Sequence, residues 1–89
     1  MKILEIIHVR ALNALMKGAV DQIRASLRNP EPTLDIITFY HRQGVMSDVA
    51  IHLSRKVDNS QAEPSATGLR IAASLRENGI VEHTVWTEM

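Results

Sequence analysis

Residues 34–55 read LDIITFYHRQGVMSDVAIHLSR, and this stretch decides the fold. Its first part, Leu34 to His41, is rich in β-branched and aromatic residues, a composition that favours a strand. From Asp48 to Arg55 apolar and polar residues alternate, as they do in a strand with one buried face. Arg42-Gln43-Gly44 supplies a turn between the two segments. Because the strands are so close in sequence, we expect them to form an antiparallel hairpin.

A strand and a helix are predicted before this hairpin. Ile3 to Val9 is dominated by β-branched and aliphatic residues, which indicates a strand. Asn29-Pro30 ends the helix that follows, because the residue before a proline is disfavoured in the α conformation. Gly18 lies inside this helix and is predicted to allow a close approach to the sheet. The apolar residues that recur with the period of the helix are Leu12, Leu15, Met16, Ala19, Val20, Ile23 and Leu27.

A polar loop, a second helix and a last strand are predicted after the hairpin. Residues 56–64, KVDNSQAEP, are polar and show no periodicity, so they form an exposed loop. The second helix begins at Pro64-Ser65 and ends before Asn78-Gly79, a pair typical of helix C-termini. Ile80 to Thr87 is a β-branched segment and is predicted to be the fourth strand. The inward-facing stripe of the second helix is predicted to comprise Leu69, Ala72, Ala73 and Arg76, widened by Ile71 and Leu75.

These segments give the order β-α-β-β-α-β in a single domain, residues 1–89. With right-handed crossovers this order predicts an α+β ferredoxin-like sandwich, in which two helices cover one face of a four-stranded antiparallel sheet. A chain of 89 residues is near the lower end of the sizes that bury a core without help. We therefore expect the fold to be completed by packing, either within one chain or against a second copy.

The composition argues against several classes of function. The formal net charge is zero, with 10 Lys and Arg against 10 Asp and Glu, so the basic field that nucleic-acid binding needs is missing. There is no cysteine, hence no disulfide, thiolate metal site or cysteine nucleophile. No apolar run is long enough to span a bilayer. We expect a cytoplasmic protein with no metal, no cofactor, no nucleic-acid partner and no membrane contact.

The sheet face that the helices leave uncovered is predicted to be functional. On the third strand Val49, Ile51 and Leu53 are expected to face the helices, which leaves Asp48, Ala50, His52 and Ser54 on the open side. The first strand permits two facings, with either Leu4, Ile6, His8 and Arg10 or Ile3, Glu5, Ile7 and Val9 on the open side. Either facing leaves large aliphatic side chains uncovered, so a homodimer that packs through its sheets is predicted.

The whole pattern, with IIHVRA at residues 6–11 and VEHTVWTEM at residues 81–89, resembles the dimeric α/β-barrel superfamily. Its antibiotic-biosynthesis-monooxygenase-like branch is the most similar. The resemblance implies homodimers that pair sheet to sheet and enclose a cavity in each barrel. It also implies that the chain could be a cofactor-free oxygenase of quinol-like aromatics. The haem-degrading members use an Asn, a Trp and a His, and the first strand here has no asparagine, which argues against haem chemistry.

Five residues are candidates for a site on the open face. His8 and His52 are the catalytic candidates, because neighbouring first and third strands would project both from one face, where an imidazole can act as general base. Arg10 could hold the oxyanion that forms when a phenolic substrate loses its proton. Tyr40 and Trp86 are the other candidates for substrate binding. The alternative for each of the five is a packing role or a half-solvated position.

His83 is interpreted differently from the other histidines. It lies three residues from Trp86 on one strand, so the two side chains point to opposite faces. His83 instead shares a side with Val81 and Val85, which favours a structural histidine with a hydrogen-bonding partner.

Two hypotheses of function remain open. The first is a cofactor-free, monooxygenase-like enzyme that acts on a small aromatic or quinol-like molecule in the barrel cavity. The second is a non-catalytic dimeric domain that binds a metabolite or another protein. RNA recognition by the sheet is disfavoured, because the sequence has only one Trp, one Tyr and one Phe and no net charge.

Overall fold

Four strands and two helices follow one another in the predicted order, β-α-β-β-α-β. The computed structural model describes residues 2–10, 16–27, 34–56, 63–77 and 79–89. Leu12 and Leu15, the first apolar residues of the predicted first helix, and most of the predicted loop before the second helix lie outside the described residues. The elements are β1 (Lys2–Arg10), α1 (Met16–Ser26), β2 (Leu34–Arg42), β3 (Val45–Lys56), α2 (Ala66–Arg76) and β4 (Ile80–Thr87).

The hairpin of β2 and β3 is longer than predicted. β3 begins at Val45 rather than at Asp48, so the turn shortens to Gln43-Gly44. Gly44 has a φ of 76°, in the left-handed region that residues with a side chain rarely adopt. A tight turn of this kind explains why a glycine stands between the strands.

The strands form one antiparallel sheet in the order β2-β3-β1-β4. β1 and β3 are therefore the central strands. At the middle of the sheet, Ile6 of β1 lies opposite His52 of β3 on one side and opposite Thr84 of β4 on the other. This α+β architecture, with two helices, is consistent with the ferredoxin-like fold that the sequence predicts.

The facing of β1, which its sequence leaves open, is fixed in the structure. The odd-numbered residues of β1 face the helices and are buried: Ile3, Glu5, Ile7 and Val9. On β3 the residues predicted to face the helices are buried as well: Val49, Ile51 and Leu53. The even-numbered residues of β1 therefore share the face that the helices leave uncovered with Ala50, His52 and Ser54 of β3.

Asp48 departs from this alternation. It was predicted to lie on the open side with the even-numbered residues of β3, yet it is buried. The pairing of β2 with β3 shifts register between His41 and Arg42, next to Asp48, and such an irregularity interrupts the alternation of side chains. Arg42 Nη1 lies 3.5 Å from Asp48 Oδ2 and pairs with its charge.

The apolar core lies between the sheet and the two helices. Ile23 of α1 is buried there, and Val20 and Leu27 pack against the core while remaining partly exposed. Arg24 of α1 lies over the ring of Phe39 on β2, with 4.7 Å between the guanidinium carbon and the ring centre. The buried core residues are Ile7, Val9, Ile23, Val49, Ile51, Leu53, Ile71, Ala72 and Leu75.

The predicted inward face of α2 is confirmed at Ile71, Ala72 and Leu75 and wrong at its other three residues. Leu69 is 51% exposed, and Ala73 and Arg76 are exposed too, although all three were assigned to the stripe that faces the sheet. The buried face instead includes Thr67 and Gly68, and a search for apolar periodicity passes over both because one is polar and the other has no side chain. The buried residues of α2 are Thr67, Gly68, Ile71, Ala72 and Leu75.

The close approach predicted for a glycine occurs at a different glycine. A Cβ built on Gly18 meets no atom within 4 Å, so the prediction that Gly18 lets its helix approach the sheet is wrong. At Gly68 of α2, a Cβ would overlap Glu5 Oε2 and would lie 3.1 Å from both Glu5 Cδ and Ser65 Oγ. Gly68 therefore brings the first turn of α2 against the carboxylate of Glu5.

Glu5 is fully buried, with 0% of its side chain exposed, and joins four elements of the fold. Its Oε1 accepts a hydrogen bond of 2.8 Å from the backbone N–H of Ser65 and lies 3.6 Å from Arg55 Nη1. Its Oε2 lies 2.9 Å from His83 Nε2, and because a carboxylate only accepts, that nitrogen carries the hydrogen. Arg55 Nη2 also donates to the carbonyl of Glu63. The buried charge is thus paired and hydrogen-bonded, as burial requires.

Ser65 begins α2 with a local hydrogen bond of its own. Its Oγ accepts from the backbone N–H of Gly68 at 2.9 Å, the usual geometry of a serine at the N-cap. Ser65 therefore accepts from within its helix and donates to Glu5 outside it.

Neither described helix is long and apolar enough to cross a membrane.

Candidate functional site

We call the side of the sheet that the helices leave uncovered the open face. Because the strands are in register, its side chains stand in rows that run across all four strands. His52 and Ile6 are the central residues of the middle row, flanked by Thr38 on β2 and Thr84 on β4. The next row comprises Ile36, Ser54, Leu4 and Trp86, and the row on the other side comprises Tyr40, Ala50, His8 and Glu82.

A concave depression of about 410 Å³, which we call the hollow, lies on this open face. Leu4, Ile36, Tyr40 and Trp86 give it apolar walls, and three of them are largely uncovered. Ile36 is 61% exposed, Tyr40 is 51% exposed and Trp86 is 57% exposed. Folding of a single chain thus leaves large apolar groups around the hollow in contact with water.

Polar side chains contribute the rest of the lining. Thr38, His52 and Ser54 lie on the β2 and β3 side, while Lys2 and Glu88 bring opposite charges to one end. Glu88 is held there by its backbone N–H, which donates to the carbonyl of Lys2 at 2.9 Å. The hollow therefore combines an apolar wall with a strip of hydrogen-bonding groups, the combination found in small-molecule sites.

His52 and Tyr40 are in contact inside the hollow. Their ring centres are 4.7 Å apart and the rings are inclined by 56°, a tilted packing of two flat groups. Thr38 lies directly opposite His52 in the pairing of β2 with β3. His52 is half-buried, so its imidazole is supported by its neighbours and still open to a bound molecule.

Trp86 forms the β4 side of the hollow. It lies opposite Leu4 in the pairing of β1 with β4, and its indole Nε1 donates a 2.9 Å hydrogen bond to Thr84 Oγ1. The ring therefore leans along its own strand towards Thr84. This places the tryptophan on the open face and His83 on the helix face, the opposite facings that the sequence predicts.

The structure brings three of the five candidate residues together. His52, Tyr40 and Trp86 line the hollow. His8 and Arg10 share the open face but lie further along β1, opposite Glu82 and Ile80 of β4, and neither lines the hollow. The roles assigned to all five residues stay predictions.

The buried cluster around Glu5 is the feature that sequence reasoning missed. His83 has only 6% of its side chain exposed and meets the carboxylate on the helix side of the sheet, which agrees with a structural histidine. A signal was present: Glu5 interrupts the apolar side of β1, and Arg55 continues the side of β3 that carries Leu53. Within the described ranges, no three His, Asp or Glu side chains converge in a way that could hold a metal ion.

The fold and the hollow define the class as a small α+β protein with a ferredoxin-like sheet and one uncovered face. No protein-family model matches the chain, and a comparison with curated proteins gives no match. Among solved structures the chain is similar to Rv0793 from Mycobacterium tuberculosis, with a TM-score of 0.67 and 13% sequence identity. The similarity covers 100% of this chain and 96% of that one, and at this identity it concerns the fold alone.

Proposed function

We propose that two copies of the chain pair through their open faces and that the hollow then becomes a closed cavity for a small aromatic molecule. One observation carries the proposal: the large apolar side chains that a single chain leaves exposed surround a depression. Ile36, Tyr40 and Trp86 are each more than half exposed there. Covering them with a second copy removes apolar area from water, which is favourable by about 25 cal/mol per Å².

The size and lining of the hollow support a small ligand. A volume of about 410 Å³ falls within the range of pockets that bind small molecules. Tyr40 and Trp86 offer two aromatic rings to a flat molecule, and offset or edge-on packing of rings adds to the burial of apolar surface. Thr38, His52 and Ser54 could hydrogen-bond hydroxyl or carbonyl groups on one edge of that molecule.

Catalysis of the monooxygenase-like kind is the finer proposal, and the position of His52 favours it. Its imidazole lies in the hollow against Tyr40, where it could accept a proton from a phenolic hydroxyl of the ligand. The resulting aromatic anion is electron-rich and could itself reduce O₂. One oxygen atom would bond to a ring carbon, the other would leave as water with two protons from the substrate, and a quinol would become a hydroxyquinone. The substrate would supply every electron, so the reaction would need no resident cofactor. The sequence resemblance to the antibiotic-biosynthesis-monooxygenase-like branch supports the same chemistry.

Pairing through the open face is tested by placing a charge in the proposed interface. Ile36→Glu should turn a dimer into a monomer, because each copy would bury a carboxylate against apolar groups. Leu69→Glu is the matched control, since Leu69 is 51% exposed on α2, in the helical layer on the other side of the sheet. Light scattering across a concentration series measures the molar mass of each protein.

We expect the wild type and Leu69→Glu to have twice the mass of the chain, and Ile36→Glu to have the mass of one chain. A wild type that is monomeric at every concentration overturns the dimer. The same molar mass for all three proteins, at twice that of the chain, would show that the copies pair through another surface.

Substitution of His52 separates binding from catalysis. His52→Ala should still bind 1-naphthol, about two- to tenfold more weakly than the wild type because one hydrogen bond to the hydroxyl is lost, as measured by calorimetry. It should consume O₂ with 1,4-dihydroxynaphthalene about 100-fold more slowly, because loss of a general base costs roughly that factor or more. His41→Ala is the control, since His41 is exposed on β2 and does not line the hollow.

The pattern of results distinguishes the two hypotheses of function. Oxygen uptake by the wild type above the spontaneous rate, lost only in His52→Ala, supports the enzyme. Binding of 1-naphthol without any oxygen uptake supports a non-catalytic metabolite-binding domain. No binding of either compound to a confirmed dimer would remove the small-molecule proposal and leave a protein partner as the alternative.

A further inference from the structure

The indole of Trp86, which forms one wall of the hollow, is hydrogen-bonded to Thr84. The two residues are two positions apart on β4, so their side chains stand on the same face of the sheet. Trp86 is 57% exposed, and yet the only polar atom of its side chain, the indole Nε1, is 2.9 Å from Thr84 Oγ1. An exposed indole can also donate to water, and here the N–H is directed to a side chain of its own strand.

We infer that Thr84 is a positioning residue that holds the indole of Trp86 as a flat apolar wall of the hollow. The inference rests on the proposed function for its consequence on ligands, but the geometry of the indole does not depend on a ligand. With the N–H engaged by Thr84, the ring offers a bound molecule only its faces and its carbon edges.

Within one chain, few other described groups restrain this ring. β4 is an edge strand of the described sheet, so no further described strand flanks Trp86 on its outer side. On the inner side Leu4 lies directly across, and it offers no hydrogen bond. The hydroxyl of Thr84 is therefore the group that selects one direction for the indole N–H among the staggered side-chain rotamers.

With the indole fixed in this way, only one side of the hollow can form hydrogen bonds with a ligand. Hydrogen-bonding groups from His52 and Ser54 lie on the β3 side, and the Trp86 wall opposite them contributes stacking alone. A flat aromatic molecule with a hydroxyl on one ring fits this arrangement. A second hydroxyl on the far ring would face the indole wall. There it would lose its hydrogen bonds to water, and the wall offers no hydrogen bond in return.

The test compares Thr84→Val, which keeps the shape of the side chain but has no hydroxyl, with Thr84→Ser, which keeps the hydroxyl. Trp86 is the only tryptophan in the sequence, so a single indole N–H resonance and a single fluorophore report on it. In the ligand-free protein, Thr84→Val should exchange this N–H with water about two- to tenfold faster, the factor that corresponds to one ordinary hydrogen bond. Thr84→Ser should behave like the wild type.

Binding of two probes tests the consequence for selectivity. The wild type should prefer 1-naphthol to 1,5-dihydroxynaphthalene, and Thr84→Val should reduce that preference about two- to tenfold, because the freed indole N–H can meet the second hydroxyl. Unchanged urea midpoints for both variants would show that the effect is one of position and not of folding.

Equal indole exchange in the wild type and Thr84→Val overturns the positioning role. Faster exchange with an unchanged preference overturns its effect on selectivity. If neither naphthol binds any of the proteins, the proposed function fails, while the exchange rates still decide the role of Thr84.

Discussion

Glu5→Gln is expected to lower the free energy of unfolding by about 3 kcal/mol or more, the usual cost of removing one partner of a buried ion pair. Glutamine has nearly the shape of glutamate, so no cavity forms and the loss is electrostatic. Arg55 would keep its charge with only 10% of its side chain exposed, and the carboxylate that lies 3.6 Å from it would be gone. With its nitrogen in the place of Oε1, the new amide would point N–H groups at two donors, Ser65 N–H and Arg55 Nη1. With its nitrogen in the place of Oε2, it would be accepted only if the His83 imidazole changed tautomer.

The size of this loss is large for so small a domain. A chain of 89 residues is expected to have a total stability of roughly 4–13 kcal/mol, at about 0.05–0.15 kcal/mol per residue. Urea unfolding followed by circular dichroism measures the change, at one fixed protein concentration because a dimer's stability depends on it.

Asp21→Asn is the control, since it removes the same charge from an exposed position on α1. It should change the free energy of unfolding by no more than about 0.5 kcal/mol. If Glu5→Gln and Asp21→Asn unfold at the same urea concentration, the cluster around Glu5 contributes nothing to stability.

Gly68→Ala is expected to destabilise the protein although alanine is the better helix former. In an unhindered helix the change would stabilise by up to about 1 kcal/mol. At Gly68 the new Cβ would overlap Glu5 Oε2, a buried atom that Ser65 and His83 hold in place through their hydrogen bonds to the same carboxylate. Overfilling a packed site of this kind costs about 1–3 kcal/mol, so the net change should be a loss.

Gly18→Ala is the matched control, because Gly18 is an exposed helical glycine with open space around it. It should raise the free energy of unfolding by up to about 1 kcal/mol, so the same substitution should have opposite signs in the two helices. Shortening the carboxylate should restore part of the loss: Gly68→Ala combined with Glu5→Asp should be more stable than the sum of the two single changes predicts. Stabilisation by Gly68→Ala alone would contradict the close contact.

The fold was predictable from the sequence where one face of an element is purely apolar. On β3 the large apolar residues Val49, Ile51 and Leu53 alternate with small or polar ones, and the structure confirms that these three are buried. On β1 each side carries aliphatic residues and a charged one, so the alternation alone does not show which side is buried. Glu5 is buried together with Arg55, Ser65 and His83, which pair with its carboxylate, and partners so distant in the chain are invisible from the local sequence.

The second helix shows a different limit of sequence reasoning. A search for apolar periodicity gives Leu69 weight and gives Gly68 none, whereas in the structure Gly68 is buried and Leu69 is exposed. A glycine that faces a neighbouring element matters because it has no Cβ, so the neighbour can approach its backbone closely. Only the position of the Glu5 carboxylate shows which face of the helix it belongs to.

The candidate site could be predicted in part for the same reason. The shared facing of Thr38 and Tyr40 follows from the period of a strand, and both line the hollow. That His52 lies in the hollow while His8 does not depends on the register between β1 and β3, which sets Ile6 and not His8 opposite His52. The register follows from packing across the sheet, and no single strand encodes it.

The serine that begins α2 has an incomplete capping box in its own sequence. In a complete box the third residue after the serine is a glutamate or glutamine, whose side chain returns to the serine N–H. Here that residue is Gly68, which has no side chain to reach back. The carboxylate that accepts from the Ser65 N–H belongs instead to Glu5, sixty positions before the serine. The two positions should consequently vary together in evolution. A relative with an apolar residue at position 5 is expected to regain glutamate or glutamine at position 68 and to lose the arginine at position 55.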